Sequence, residues 1–153
     1  MIELGGDPFE GVRERRILAP ARTATDMEEE AAAAALAAAG VAPDEIDLLL
    51  VHSAVPEYQL SNVACPLHHR LGLPSTCLAL EAHAAAYSFL AQLALAVPMI
   101  ESGRVRRALL VQSSAVSRVM DPADPISAKV GDAASAVVVG PVAAGCAAAR
   151  CRR

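Results

Sequence analysis

His83, Ser88, Cys65 and Cys77 have side chains of the types that do nucleophilic or acid–base chemistry, and their settings differ. His83 falls on the turn that enters a long apolar segment beginning near residue 84, where an imidazole could act as a general base or an acyl acceptor. The commoner role for a histidine at such a loop is packing and hydrogen bonding to backbone. Ser88 would need a neighbouring base to become a nucleophile, and no candidate stands beside it; as a helix-packing hydroxyl it needs none. Cys77 opens an expected strand and Cys65 lies within an expected helix, positions where cysteine behaves as a small buried hydrophobe. His68 and His69 are adjacent, so on a helix they diverge by about 100° and do not converge on one ion. The four cysteines, Cys65, Cys77, Cys146 and Cys151, follow no CxxC or Cys/His spacing, so free thiols and no metal are expected. Gly131-Asp132 is not part of a GxGxxG or GxxxxGK[ST] pattern, and Asp132 is expected to hold backbone N–H groups in a tight turn.

The elements that must carry these residues alternate. After a loop-like stretch to Thr25, with a short edge strand possible at Arg16 to Leu18, Thr25 and Glu28 have capping-box spacing. Asp26 and Glu28 to Glu30 then place negative charge at the positive end of a helix running to about Ala39. Gly40 suits a left-handed C-cap, and Asp47 to His52 reads as a strand buried on both faces. Ser61 can cap a second helix to about Leu71, followed by a strand at Thr76 to Leu80. Ala84 to Glu101 is a helix apolar all round, with Pro98 positioned to kink it. Arg107 to Gln112 and Ala134 to Gly140 supply further strands. This order predicts an α/β domain with a largely parallel sheet and right-handed crossovers. An all-round apolar helix also predicts a further covering layer. Burying a Leu or Phe is worth roughly 1.5–3 kcal/mol, so half-exposing Tyr87, Phe89, Leu90, Leu93, Leu95 and Val97 would cost a sizeable part of a domain's stability.

Bulk properties narrow the function classes. With 153 residues, 54% of them hydrophobic, the chain can bury one ordinary core and is too short for two substantial domains. Its net charge of −4 is spread along the chain with no basic stripe, which argues against nucleic acid or an anionic membrane surface as partner. The uncharged run at residues 84–100 is 17 residues and contains Ser88, Gln92 and Pro98, short of the roughly 20 apolar residues of a membrane span. No cleavable leader is recognisable, and a reducing cytoplasm is the expected setting.

Several segments in order resemble the amino-terminal half of β-ketoacyl-ACP synthase III, of the thiolase superfamily. They are Gly11-Val-Arg-Glu-Arg-Arg-Ile-Leu-Ala-Pro20, Ala39-Gly-Val-Ala-Pro-Asp-Glu-Ile-Asp-Leu-Leu-Leu-Val51, the Ser61 to Gly72 helix and Glu101-Ser-Gly103. Ala108-Leu-Leu-Val-Gln-Ser-Ser114, Asp121-Pro-Ala-Asp124 and Gly131-Asp-Ala-Ala-Ser-Ala136 follow. The resemblance covers about Gly11 to Val142. It implies a five-layer αβαβα fold of two similar halves, with a nucleophilic cysteine at the start of the central helix here and a His and an Asn in the second half. That cysteine accepts an acyl group from a thioester, and the His and Asn assist decarboxylation of a malonyl thioester.

Counting back from Ser102-Gly103 and forward from Leu80-Glu81, the position of that cysteine is Ala86. A methyl group cannot attack a thioester, so no intact catalytic residue is expected there, and His83 and Ser88 are the substitutes. Ala133 replaces a glycine of the family's Gly-Asp-Gly turn, and too few residues precede Gly11 for the family's first strand. The chain is thus expected to divide into a leader at 1–10, a thiolase-like half domain at 11–142 and a low-complexity, disordered tail at 143–153. The resemblance implies no bound cofactor, with acyl-CoA or an acyl carrier protein as substrate or partner. It also implies a second thiolase-like half or a synthase partner, and a dimer edge formed by Leu110, Val111, Gln112 and Ser113.

Overall fold

The computed structural model describes residues 11–141; the expected leader and tail lie outside them. Three helices, α1 (Ala24–Ala39), α2 (Ala64–Arg70) and α3 (Ser88–Glu101), accompany four strands, β1 (Leu48–Ser53), β2 (Leu78–Glu81), β3 (Ala108–Ser114) and β4 (Ala133–Val139). The strands form one sheet in the order β2-β1-β3-β4. β1 pairs in parallel with both β2 and β3, with Leu50 opposite Leu80 and Leu110. β4 runs antiparallel to β3, with Val111 opposite Ala136, the one antiparallel pair among the described residues in a largely parallel sheet. The link between them contains only short 3₁₀ turns at Val116–Arg118 and Pro125–Lys129 and returns to the same end of the sheet, without the crossover helix a parallel neighbour needs.

Side-chain alternation along β1 and β3 distributes the core. Leu49, Val51, Leu109 and Val111 meet Ala32 and Leu36 of α1 and Leu67 of α2. Leu48, Leu50, Ala108 and Leu110 face the other way, onto Ala96 of α3. The result is a helix–sheet–helix arrangement with β1 and β3 buried on both faces, as their uninterrupted apolar runs require.

Several local expectations are corrected. The N-cap of α1 is Thr23, not Thr25, and its capping box is closed by Asp26. Glu28 is consequently not a solvated first-turn charge; it is 1% exposed and points at the sheet. Gly40 does terminate α1 in the left-handed conformation, at φ 63°. α2 begins later than expected, with Asn62 rather than Ser61 accepting the Ala64 N–H at 3.0 Å. Arg16 to Leu18 forms no strand, although Asp132 N–H donates to the Arg16 carbonyl at 2.8 Å. Cys77 precedes β2 instead of opening it.

α3 is entered through a 3₁₀ turn at Ala85–Tyr87, so the expected single helix from Ala84 is two segments. Its buried seam is Ser88, Gln92 and Ala96, at a spacing of four. The outward side carries Tyr87 at 71%, Leu90 at 60% and Leu95 at 50% exposure. The helix therefore turns a small and polar seam to the sheet, with Leu93, Met99 and Ile100 packed beside it, and leaves several large apolar side chains uncovered on its other side. The expected dimer edge is also corrected: Leu110, Val111, Gln112 and Ser113 sit in β3, which is flanked by β1 and β4, so β3 has no free edge for a partner strand.

Candidate functional site

An open cleft of about 940 Å³ lies at the carboxyl ends of β1 and β3, the place where parallel α/β sheets leave room between strand ends and helix starts. His52 comes from β1, Gln112, Ser113 and Ser114 from β3, and Ala133 to Ser135 from the start of β4. The entry to α3 contributes His83, Ala85, Ala86, Ser88 and Phe89. The antiparallel return of β4 is thus what closes one wall.

Ala86 faces this cleft, next to Ala85, whose φ of 48° is the left-handed conformation that a residue with a Cβ adopts at a cost. That turn tips the chain from β2 into α3 and puts the Ala86 methyl on the cleft wall. Ser88, two residues on, is 2% exposed. Its hydroxyl accepts the Ala84 N–H at 2.9 Å and donates to the Ala85 carbonyl at 2.7 Å. Both bonds tie down the same turn, so the hydroxyl serves the backbone and has no base beside it.

His83 is exposed on the cleft rim and meets His52 edge to face, the ring centroids 4.6 Å apart. The expected backbone hydrogen bond of His83 is absent among the described residues; its neighbour is another imidazole. His52, 7% exposed, was not singled out by its sequence, and its Nδ1 is buried with no hydrogen-bond partner among the described residues. Burial, then the proximity of His83, hold the His52 imidazole below its ordinary pKa of 6.5, against a smaller opposing pull from Glu81. The signal that could have found it is its place at the carboxyl end of a parallel strand, where an apolar run gives way to His52-Ser53.

A polar thread runs behind the cleft. Gln92, fully buried on α3, donates to the Val111 carbonyl at 3.3 Å and accepts from Gln112, while Ser135 donates to Gln112 at 3.3 Å. Ser53 and Ser113 share a hydroxyl hydrogen bond of 2.9 Å, and Ser113 donates to Glu28 at 2.5 Å. Burial raises the Glu28 carboxyl above its ordinary 4.5, with hydrogen bonds from Ser113 and Ser53 offsetting part of the effect.

The remaining sequence candidates fall outside the cleft. Cys77 is buried, and burial pushes its thiol up to about 11, so it is a poor nucleophile. Cys65 lies on α2 as expected but is exposed, not a packed hydrophobe. His68 bonds the Pro74 carbonyl through Nε2 at 3.0 Å, a local tie. Asp132 does hold backbone, accepting Leu18 N–H at 2.7 Å and Ser117 N–H at 2.9 Å. Among the described residues no three His, Cys, Asp or Glu side chains gather as a metal site, and no helix is long and apolar enough to cross a membrane.

Residues 80–151 match the family model for 3-oxoacyl-[acyl-carrier-protein (ACP)] synthase III. The match reaches past residue 142, where the resemblance read from the sequence ended. The β-ketoacyl-[acyl-carrier-protein] synthase III of Alkalilimnicola ehrlichii is 38% identical over 130 residues, 84% of this chain and 40% of the relative. The Thiobacillus denitrificans enzyme is 37% identical over 131 residues, 85% of this chain and 41% of the relative. A crystal structure of 3-oxoacyl-(acyl-carrier-protein) synthase III superposes with a TM-score of 0.81 at 36% identity, covering 88% of this chain and 40% of that one. The chain belongs to the β-ketoacyl-ACP synthase III family. The priming β-ketosynthase of a polyketide pathway matches this synthase III-family chain equally well, with a TM-score of 0.81 at 35% identity over 86% of the chain and 40% of the other. The chain spans about two-fifths of the length of these relatives and has the thiolase-like fold over the described residues.

Proposed function

We propose that this chain serves the acyl-thioester chemistry of fatty acid or polyketide synthesis as a synthase III-like half that does not condense acyl groups by itself. The single observation that carries this reading is Ala86: the residue at the entry of α3, on the cleft wall, bears a methyl. A thiolate at that point would gain from the helix dipole and nearby backbone N–H groups, whereas a methyl offers no lone pair. The acyl group is therefore held, not transferred to the protein, and its source is acyl-CoA or an acyl carrier protein.

The outward side of α3 supports a partner. Tyr87, Leu90 and Leu95 face away from the chain's own sheet, and β2 is an edge strand whose Leu78 and Leu80 are 44% and 40% exposed. An uncovered apolar helix beside an open edge favours a second thiolase-like half or an intact synthase as the covering surface. An acyltransferase working through Ser88 is disfavoured by the two backbone bonds its hydroxyl makes.

Intact mass after incubation with acyl-CoA, and size exclusion with and without a synthase encoded nearby, test the two parts. The expected results are no covalent acyl adduct and a shift to a defined complex. A stable adduct on His83 or Ser88 would overturn the first part, and unchanged elution of both proteins the second.

A further inference from the structure

His52 and His83 are the two titratable side chains that line the cleft, and the reading above assigns neither a task. A buried imidazole nitrogen with no partner is uncommon, since a polar group withdrawn from water is normally hydrogen-bonded. Here the unpartnered Nδ1 belongs to a ring that is in contact with a second imidazole and at the wall of a space large enough for a thioester. His83, by contrast, is exposed and can meet water directly.

We propose that His52 and His83 act together as an acid–base pair that hydrolyses a thioester held in the cleft, with water as the nucleophile in place of a side chain. The inference rests on the reading that the cleft accepts an acyl thioester. A water between His83 and the thioester carbonyl gives its proton to the imidazole as its oxygen adds to the carbonyl carbon. The tetrahedral adduct then collapses, the carbon–sulfur bond breaks, and the leaving thiolate takes the proton back from the imidazolium. The products are a carboxylic acid and a thiol, and the pair returns to its starting state with no other reactant consumed.

His52 is the positioning member. It is buried against His83, and a charge on His83 opposes a second proton on His52, with Glu81 as the one carboxylate acting the other way. Held by burial, the His52 ring fixes the orientation of the His83 ring that it meets edge to face. Ala86 matters in this scheme because it leaves the acyl group free of the protein and open to water.

Acetyl-CoA is the probe. Thiol release by the full chain is followed from about pH 5 to 9 with calorimetric binding measured in parallel, for the wild type, His83→Gln and His52→Asn. The expected result is release faster than the protein-free blank, rising with pH as general-base catalysis requires, and falling about 100-fold in His83→Gln with binding unchanged. His52→Asn is expected to lower the rate and move the pH profile, which a packing role alone would not do. Equal rates in His83→Gln and the wild type would overturn the pair, as would binding without release above the blank. Failure of the wild type to bind acetyl-CoA would overturn the pair together with the reading of the cleft on which it rests.

Discussion

Asp132 reaches across the molecule to Leu18: its Oδ2 accepts the Leu18 N–H at 2.7 Å, joining residues 114 positions apart. The same carboxylate takes the Ser117 N–H at 2.9 Å and the Ser117 hydroxyl, so one side chain ties the segment before α1 and the turn after β3 to the start of β4. Asp132→Ala strips the acceptor from two backbone donors and is expected to cost about 2–4 kcal/mol. A urea denaturation midpoint checks this. Burial alone would raise the Asp132 carboxyl, but the Leu18 and Ser117 donors outweigh it and hold the group below its ordinary 3.8. The unfolded chain therefore takes up the proton first. This stabilisation is present above 3.8 and disappears as the pH falls below it, and Asp132→Ala should flatten that limb.

Glu28 has the opposite sign. Its carboxyl is raised chiefly by burial, so the folded chain binds the proton more tightly than the unfolded chain. The contribution is complete below the ordinary 4.5 and is lost as the pH rises through the elevated folded value. Glu28→Gln keeps an acceptor for the Ser113 hydroxyl and removes the charge. It should raise stability at pH 7 by on the order of 1 kcal/mol and leave it nearly unchanged at pH 4. Thermal melts at the two pH values decide it, and a loss of stability at pH 7 would show that the charged form is the one the Ser53 and Ser113 hydroxyls support.

The Glu28 result marks how far the sequence could be read. The run Leu48 to Val51 and the Gly40 cap are local signals, strong because apolar continuity and a left-handed cap each have few alternatives. They located β1 and the end of α1 correctly. Glu28 looked like one more first-turn carboxylate, but with the cap at Thr23 it falls past the first turn, four residues before Ala32 on the buried face. His52 was legible only as the end of a strand; its meeting with His83 joins the ends of β1 and β2 and has no sequence period. β4 was legible as a strand, but its direction is set by the non-helical return from β3, which composition does not encode. The apolar surround of α3 was visible, and the structure adds which residues form the seam on the sheet.

Leu90 and Leu95 lie on the outward side of α3 at 60% and 50% exposure, away from the seam of Ser88, Gln92 and Ala96. Replacing both with Gln removes apolar surface from contact with solvent or partner and leaves the seam intact. Stability of the isolated chain should change by no more than about 0.5 kcal/mol per site, while concentration-dependent association in light scattering should fall. A large drop in melting temperature with association unchanged would mean that these side chains serve the chain's own core.

Ala86→Cys asks directly whether the entry to α3 is a nucleophile position. The side chain faces the cleft, the turn is held open by Ser88, and 14 residues of α-helix follow from Ser88 to Glu101. A thiol placed there should be more ionised than an ordinary surface thiol, because the helix dipole favours the thiolate. The chain supplies its own references: Cys65 is exposed on α2, and Cys77 is buried with its thiol pushed up to about 11. Iodoacetamide should label the Ala86→Cys thiol about tenfold faster than Cys65 at neutral pH, with Cys77 slower still. Acetyl-CoA should then leave one acetyl group per chain in intact mass, mapped to the peptide containing position 86, where the wild type carries none. If the new thiol labels no faster than Cys65 and stays unacylated while the cleft binds acetyl-CoA, the turn does not place position 86 against the thioester, and the alanine there explains nothing about the chemistry.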